Sequence, residues 1–398
     1  MIAITGIGAV SPTGTGKEKI LRSLSESVSG ISVSGKFGLH AYNADSFGEV
    51  KDFMPKDYIP PIKARRMSRF SQFALASAIE ALRDSGLEIN DENRFNTGIA
   101  VGTGLASTDS TDKFYEGLLK EGADGTNPMI FPETVQNIAA SHISIHFGIK
   151  GPNITFSHSD ISSELAIFYA CELLKDNRAD FVIVSGSDEL SHAVVTGYSS
   201  LGLLSDRMMP FDLMRDGFVL AEGGATVILE RLDDAKKRKA DVYCKIVSQG
   251  FSSSPAATIK YDSSLGSMID SMKTALLRAG TPIPDFISAA ANSTRELDRL
   301  ETLAIREVFG GMASAIPVSA VRSHYGFFQG DGVLRIALAA LSLREGIIPK
   351  TLGLKNPSPE CDLDYVADGP RNAEINSVLI NSFSSGGSAS SIVLGREN

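Results

Sequence analysis

Tryptophan is missing from this chain of 398 residues, and cysteine and histidine are scarce, with three and six residues respectively. The cysteines, Cys171, Cys244 and Cys361, are odd in number and include no CxxC pair. The sequence therefore predicts neither a disulfide framework nor a zinc site, and we expect no metal. Sparse cysteine of this kind is typical of a reducing compartment, where each thiol serves as a small packing residue.

The chain also lacks an excess of positive charge and any long apolar run. Its net charge is −9 and its pI about 5.3, which argues against nucleic acid and anionic membranes as partners. No apolar run approaches the ~18 residues that span a bilayer, and the opening "MIAITGIGAVSPTG" has no basic segment before its apolar stretch. We expect a cytoplasmic protein. Arg65, Arg66 and Arg69 are either a solvated helix face or a docking patch for an acidic carrier domain.

What is present is an alternation of apolar, β-branched runs with helical patterns. "TGIAVGTG" and "DFVIVSGSDE" are typical of buried strands, and "SRFSQFALASAIEALRDSG" of an amphipathic helix that ends at Gly86. This alternation predicts an α/β protein whose largely parallel sheets are covered by helices. The same order of elements returns after a charged stretch at 231–241, so we divide the chain into an N-terminal half, 1–240, and a C-terminal half, 241–398.

Two glycine-rich stretches resemble nucleotide-binding motifs but lack the residues that the chemistry needs. In "SPTGTGKE", Ser11 stands at the required first glycine, and Glu18 replaces the hydroxyl residue that would bind magnesium. Gly6 and Gly8 follow a strand, but Ser11 occupies the third glycine position of a dinucleotide fingerprint. We therefore predict no cofactor.

The stretch "ITFSHSDISSELA" predicts a strand, a tight turn and a helix. This arrangement often presents a nucleophile, yet Asp160 stands where a thiol or hydroxyl is expected.

Over almost its full length the chain resembles the β-ketoacyl synthase family of condensing enzymes. The segments that carry the resemblance occur in the family's order and spacing: "ITGIGAVSPTG", "RRMSRFSQFALASAIEALRDSGL", "FGIKGPNITFS", "PFDLMRDGFVLAEGGATVILE" and "NSFSSGGSAS". The resemblance implies a thiolase-like fold, in which duplicated βαβαβαββ halves form a five-layered α-β-α-β-α protomer.

The resemblance also implies which positions carry the family's chemistry, and most of them are changed here. The nucleophilic cysteine falls on Asp160, and the two catalytic histidines fall on Ala290 and Phe327. The supporting lysine falls on Arg322, whereas the acidic residue is retained as Glu301. In the gate loop Ser385 replaces the aromatic residue, with Phe383 nearby. We therefore expect no catalytic residue in this chain, and neither His158 nor His324 falls on a catalytic position.

Two roles remain open for Asp160. We do not expect Asp160 to accept an acyl group from a thioester, because the product would be a labile mixed anhydride. A helix N-terminus would also keep the pKa of Asp160 low and its carboxylate weakly nucleophilic. It either accepts backbone N–H bonds and interacts with Arg322, directly or through water, closing the old pocket, or it is solvated in a collapsed pocket.

A degenerate site in an intact fold resembles the chain length factor of type II polyketide systems, the inactive partner of an active ketosynthase. The resemblance implies a heterodimer, with the acyl carrier protein docking mainly on the partner. It also implies that the segment "IFPETVQNIAA" faces the partner's acyl tunnel. The tunnel or partner-facing residues would be Phe131, Glu133, Thr134, Val135 and Gln136. Their polarity indicates a polyene or poly-β-keto product of the aryl-polyene type, or pairing across the dimer interface. Two alternative functions are a stand-alone pseudo-synthase that binds a carrier protein and a malonyl-carrier decarboxylase.

Overall fold

The computed structural model describes residues 1–38 and 40–397, and these form fifteen strands and twelve α-helices. The strands are β1 Ile2–Ser11, β2 Gly14–Thr15, β3 Ser32–Val33, β4 Ser46–Phe47, β5 Thr97–Gly102, β6 Asn153–Phe156, β7 Phe181–Asp188, β8 Gly223–Arg231, β9 Cys244–Ser253, β10 Phe286–Ser288, β11 Val318–Ser319, β12 Ile347–Ile348, β13 Arg371–Asn372, β14 Ser377–Phe383 and β15 Ser388–Gly395. The helices are α1 Lys17–Ser25, α2 Pro61–Ala64, α3 Arg69–Ser85, α4 Thr108–Glu121, α5 Ile138–Phe147, α6 Ser162–Lys175, α7 His192–Ser200, α8 Leu232–Lys237, α9 Gly266–Ala279, α10 Arg295–Phe309, α11 Arg322–Tyr325 and α12 Gly332–Glu345. Short 3-10 helices cover Gly35–Phe37, Pro55–Asp57, Gly122–Gly125, Phe131–Thr134 and Gly310–Ala315.

Ten strands form one continuous path that divides into two matching halves. The N-terminal half runs β6-β5-β7-β8-β1, and the C-terminal half runs β11-β10-β14-β15-β9. In each half, the first three strands of this order pair parallel with one another. The fourth strand pairs antiparallel with the third, and the fifth pairs antiparallel with the fourth. Strands β1 and β9 pair antiparallel over residues 2–4 and 244–246 and so join the halves. The repeated order of elements predicted from the sequence is confirmed.

The sheet is mixed, so the prediction of largely parallel strands was wrong for β1, β8, β9 and β15. Helices cover both faces of the sheet, and eight of the nine residues of β8 are buried. An antiparallel strand buried on both faces has the same continuous apolar pattern as a parallel strand, which is why the sequence did not distinguish them.

Helices α6 and α12 contact each other and lie between the two halves of the sheet. Helix α12 contacts β7 and β8 on one side and β14 and β15 on the other. Helix α3 covers the outer face of the N-terminal half, and α9 covers that of the C-terminal half. The predicted five-layered α-β-α-β-α order is therefore present, with the two buried central helices at its middle.

Local sequence signals fix the ends of the long outer helix α3. The hydroxyl of Ser68 accepts a hydrogen bond from the backbone N–H of Ser71, which caps the N-terminus. The helix ends where Gly86 takes the left-handed conformation, with φ of 64°, as the sequence predicted. None of the described helices is long and apolar enough to cross a membrane.

Candidate functional site

The turn between β6 and α6 places Asp160 in the interior of the protein. Glycine at position 102 lets the turn approach β5, because an added Cβ there would lie 2.5 Å from the backbone N of Ser163. Ser159, just before Asp160, has a positive φ of 51°. Asp160 itself is only 4% exposed. The strand, turn and helix predicted around this residue are therefore present, and they hold a carboxyl group in a buried position.

The environment of Asp160 differs from the expected helix cap. Helix α6 is capped at Ile161 without a side-chain hydrogen bond, and Oδ1 of Asp160 has no hydrogen-bond partner among the described residues. Burial raises the pKa of Asp160 to about 7, with Arg322 opposing this and Asp331 adding to it. The expectation of a low pKa from backbone N–H bonds was wrong, because Asp160 precedes the first turn of the helix and does not bond to it.

Glu301, the retained acidic residue, holds the backbone at the end of β10. Its carboxylate accepts hydrogen bonds from the backbone N–H groups of Ala290 at 2.9 Å and Ala291 at 2.8 Å, and from the amide of Asn381 at 3.1 Å. Burial raises the pKa of Glu301, and these hydrogen bonds oppose the rise. The residue thus orders the loop, whereas the methyl group of Ala290 can neither donate nor accept a proton.

Arg322 lies in a fully buried ion pair with Asp331. Its Nε and Nη2 atoms donate to the Asp331 carboxylate at 2.7 and 2.8 Å, and Nη1 donates to the backbone oxygen of Ala290 at 2.5 Å. Burial alone would lower the pKa of Arg322, but the charge of Asp331 raises it instead. The bidentate geometry uses most of the donors of the guanidinium group.

Among the described residues, Asp331 is the only carboxylate with an oxygen within 4.0 Å of a side-chain nitrogen of Arg322. The direct Asp160–Arg322 interaction considered from the sequence therefore does not form. Asp331 was missed because it lies in no recognisable motif. Its position nine residues beyond Arg322, at the start of α12, was the only available signal.

Phe327 occupies the second histidine position within an aromatic cluster. Its ring centroid lies 4.7 Å from that of Phe218 and 6.4 Å from that of Tyr198. The guanidinium carbon of Arg322 lies 5.0 Å from the Phe327 centroid in a cation–π contact. The aromatic ring therefore has its own packing partners and supplies no titratable group.

Asp160 and Phe327, but not Ala290, Glu301 or Arg322, line a cavity of about 820 Å³, so the pocket beside Asp160 is not closed. Asp160, Phe327 and Ser385 contribute to its wall, and Phe383, at 1% exposure, packs in the core behind the loop. Further lining residues that the sequence did not single out are Tyr198, Phe218, Tyr261 and Gln329. They are far apart in sequence and belong to different elements, so no spacing could have grouped them.

His158 and His324 do not supply a substitute base. The exposed His158 shares a hydrogen bond of 3.0 Å between its Nε2 and Oγ of Ser388. His324 is buried, its Nε2 lies 2.8 Å from the backbone oxygen of Lys350, and burial lowers its pKa. Neither residue lines the cavity. In the described ranges, no three His, Cys, Asp or Glu side chains are grouped as metal ligands.

The segment expected to face a partner has an exposed side and a buried residue. Phe131 and Val135 are 56% and 42% exposed, Gln136 is exposed and Thr134 is half-buried. Thr134 Oγ1 donates to the backbone oxygen of Phe131 at 2.8 Å, which tightens the turn. Two apolar side chains and one amide thus stand free on the surface of the described chain.

Glu133 differs from the expectation that it also faces the partner, because it is 4% exposed and its carboxylate points inward. One oxygen accepts bonds from the backbone N–H and hydroxyl of Ser68 and from the hydroxyl of Ser71, at 2.8 to 2.9 Å. The other lies 2.6 Å from Nε2 of His142. Although burial would raise the pKa of Glu133, these hydrogen bonds lower it. The residue fixes the segment to the start of α3.

The basic cluster near α3 is smaller than the sequence indicated. Arg65 and Arg66 are exposed, but Arg69 is bound to Glu222 through Nε at 2.8 Å and Nη2 at 2.7 Å. Glu222 itself has no exposed side-chain surface, so Arg69 serves the interior and only two arginines of this cluster remain available on this face.

Comparisons with known proteins agree with the whole-chain resemblance. Residues 1–235 match the model of the β-ketoacyl synthase N-terminal domain, and residues 243–355 match that of its C-terminal domain. The 3-oxoacyl-(acyl-carrier-protein) synthase 2 of Coxiella burnetii is 34% identical over 99% of this chain and 98% of its own length. Among solved structures, the ishigamide ketosynthase/chain length factor superposes with a TM-score of 0.94 at 25% identity, covering 100% of this chain and 99% of the other. A β-ketoacyl synthase from Burkholderia phymatum gives 0.92 at 25% identity and the same coverage. The fold, the order of the motifs and these matches together show that the chain belongs to the β-ketoacyl synthase family.

Proposed function

We propose that this chain is the noncatalytic, chain-length-setting subunit of a heterodimeric ketosynthase. The observation that carries the proposal is the combined state of three positions. Asp160 is buried, with no hydrogen-bond partner for its Oδ1 in the part of the chain that the structure describes; Ala290 has no functional group, and Phe327 packs among aromatic rings. Condensation needs a nucleophile and groups that polarise the reacting carbonyl. The three positions together supply neither.

The raised pKa of Asp160 also argues against a catalytic role, although the sequence predicted a low pKa. A carboxyl group with a pKa of about 7 is half protonated near neutrality, and its protonated form is a poor nucleophile. Acylation of the carboxylate form would give a mixed anhydride. Return of the acyl group from this anhydride to a thiol would be strongly favoured in free energy. The same lack of histidines disfavours a malonyl-carrier decarboxylase, since Ala290 and Phe327 cannot stabilise an enolate.

An unpaired sheet edge supports the assignment of a partner subunit. Strand β6 pairs only with β5 in the described chain, and it ends the sheet path. Phe131, Val135, Ile145 and Phe168 are all between 39% and 71% exposed. These side chains lie on α5, on α6 and on the segment before α5, and both helices contact β6. An unpaired edge strand flanked by exposed apolar side chains is a liability in an isolated protein and is usually covered. The similarity to a structure described as a ketosynthase/chain length factor supports an active ketosynthase as the partner.

The product class follows from the exposed face of the 131–136 segment. With Glu133 turned inward, Thr134 and Gln136 are the polar groups beside Phe131 and Val135. A tunnel wall with such groups suits a polyene or poly-β-keto chain better than a saturated one, because its polar groups would lose hydrogen bonds against an alkane. We propose an aryl-polyene-type product, two halves divided at 240/241, a cytoplasmic location, and a carrier protein that docks mainly on the partner.

Co-expression with a cysteine-bearing ketosynthase from the same organism tests the proposal. We expect a one-to-one complex in which only the cysteine-bearing partner is acylated, as measured by intact-protein mass spectrometry with an acyl-carrier-protein donor. The complex should elongate the chain, and neither subunit alone should do so. Full elongation by this chain alone would contradict the proposal, as would a stable homodimer that ignores the partner.

A matched substitution asks whether the nucleophile alone is missing. Asp160→Cys should restore no elongation to this chain, because Ala290 and Phe327 still lack the imidazoles that stabilise the enolate. The partner's activity should be unchanged, so the complex that contains the variant should have the same turnover as the wild-type complex. Elongation by an isolated Asp160→Cys chain would show that the rest of the site is competent and would overturn the argument from the three positions.

A further inference from the structure

The cavity of about 820 Å³ at the degenerate site is large enough for a ligand of its own. Sites for small molecules usually have volumes of ~300–1,000 Å³, mostly apolar walls and a few polar groups. Here the walls combine the aromatic rings of Phe218, Phe327 and Tyr198 with aliphatic side chains such as Val194 and Leu203. The cavity thus has the size and lining of a binding site, although the residues for condensation are absent.

Its mouth is accessible and largely apolar, although the exposed residues Thr258 and Arg295 also line the cavity. Leu105, Leu201 and Ile259 line the cavity and are 40%, 48% and 57% exposed. Apolar side chains held at the entrance of a concave site favour a ligand whose outer part is apolar.

Its inner wall holds one polar group with an unmet requirement. Within residues 1–38 and 40–397, the buried Oδ1 of Asp160 has no hydrogen-bond partner, which is rare because such a group is costly to bury. The neighbouring amide of Gln329 is already engaged, since it donates to Oγ of Ser159 at 3.1 Å and to the hydroxyl of Tyr198 at 3.0 Å. The carboxyl group of Asp160 is therefore the natural acceptor for a donor on the ligand.

Charge narrows the class of ligand to neutral molecules. An anion would meet the carboxylate of Asp160, with Asp188 and Glu164 buried behind it. A cation would be attracted by these carboxyl groups, but it would have to give up its hydration against the apolar side chains of Phe218 and Phe327, which is costly. A hydroxyl group offers the donor without the repulsion of an anion or the desolvation cost of a cation.

We propose that this cavity binds an elongated, neutral, apolar molecule with a hydroxyl group at its inner end, which donates to Asp160. The ring or hydrocarbon part packs against Phe218 and Phe327, and its outer end passes Leu201 and Ile259. The site extends the proposed function without depending on it, because binding needs only this chain. It gives the noncatalytic subunit a means to sense a hydroxylated, apolar metabolite.

A matched pair of probes tests the proposal on the full chain, in whichever assembly it is purified. Para-hexylphenol carries the donor, whereas para-hexylanisole has nearly the same shape with a methyl ether in its place. At pH 8, where Asp160 is mostly ionised, isothermal titration calorimetry should show tighter binding of the phenol by about tenfold or more, the usual value of a hydrogen bond to a charged group. Equal affinity for the two probes would overturn the proposal.

Two variants of this chain locate the site, and changing only this chain excludes binding in a partner's pocket. Asp160→Ala should abolish the preference for the phenol and leave binding of the anisole unchanged. Gly197→Phe should weaken both probes, because Gly197 lines the cavity and a Cβ added there meets open space, so the ring enters without a backbone clash. Circular dichroism checks that both variants are folded. A preference that survives Asp160→Ala, or affinities unaffected by Gly197→Phe, would place the binding elsewhere and contradict the proposal.

Discussion

Asp331→Ala is expected to lower the free energy of unfolding by about 3–5 kcal/mol, the usual range when one member of a buried ion pair is removed. The substitution leaves the guanidinium group of Arg322, which is 1% exposed, without its bidentate partner. It also removes the acceptor for the hydroxyl of Tyr325, which donates to Asp331 at 3.1 Å. Urea-induced unfolding of the purified chain in its native assembly measures the effect.

Two control variants test whether the loss of stability comes from leaving a buried charge unpaired or from removing an ion pair as such. Asp241→Ala removes an exposed pair with Arg344, in which both side chains are at least 38% exposed, and should cost less than about 1 kcal/mol. The double variant Arg322→Met with Asp331→Leu should be more stable than Asp331→Ala alone, because no unpaired charge stays buried. A loss for Asp331→Ala no greater than that for Asp241→Ala would show that Arg322 is solvated.

This ion pair also clarifies what remains of the family's site. Arg322 binds the backbone oxygen of Ala290 while Glu301 binds its backbone N–H, so the former histidine position is held from both sides. Close by, Arg335 is fully buried and donates to the backbone oxygens of Ser288 and Ala289 at 3.1 and 2.8 Å. Buried guanidinium groups thus order the loop after β10, and positions that belong to the family's chemistry serve structure in this chain.

The motifs that identified the fold from sequence act through packing. In "PFDLMRDGFVLAEGG", Arg215 is 1% exposed, its Nε lies 3.5 Å from Asp298 and its Nη2 donates to Glu360 at 2.9 Å. Glu222 of the same motif accepts from Arg69 on α3. Because such buried polar residues need partners at fixed positions, these motifs carried enough information to predict the fold. The catalytic positions that the resemblance assigns to Asp160, Ala290 and Phe327 stay a prediction.

What the sequence could not supply is the direction of individual side chains. Glu133 lies between exposed residues in sequence, yet its position in a 3-10 turn points it at Ser68 and His142. Asp160 lies one residue too far before α6 to cap it, because the helix starts at Ser162 and Ile161 takes the capping position. The antiparallel orientation of β15 depends on a turn of four residues after β14. Each of these is a matter of one or two residues, below the accuracy of sequence patterns.

Asp160→Asn is expected to stabilise the protein, and the gain should depend on pH. The folded pKa of about 7 lies above the ordinary value of 3.8, so the folded state holds its proton more tightly than the unfolded state. Stability from this group therefore falls as the pH rises from about 4 to about 7, and the full penalty applies above that range. The separation of the two pKa values corresponds to an upper limit of about 4 kcal/mol at pH 8.

The asparagine side chain would keep the shape of the aspartate without its charge, so the advantage of the variant should be widest at pH 8 and should close as the pH falls toward about 4. Thermal and urea unfolding across this range measure the difference between the two proteins, which cancels the contributions of other buried acids. An advantage that is constant with pH would show that the pKa of Asp160 is the same in the folded and the unfolded protein, as it is when solvent reaches the carboxyl group freely.

Asp262→Asn provides a control of opposite sign. Burial would raise the pKa of Asp262, but hydrogen bonds from the hydroxyl and backbone N–H groups of Ser264 and Ser267 lower it. Its charged form is therefore stabilised by folding, so this substitution should destabilise the protein above about pH 4, where Asp160→Asn stabilises it.

The same Asp160→Asn variant connects stability with binding. Its amide keeps an acceptor oxygen but loses the charge, so para-hexylphenol should bind more weakly than to the wild-type chain. If the variant is more stable than the wild-type chain and no longer prefers the phenol, the carboxyl group of Asp160 lowers stability and serves to bind the hydroxyl group of a ligand. A variant that gains stability and keeps the preference would assign the phenol's hydroxyl to another acceptor.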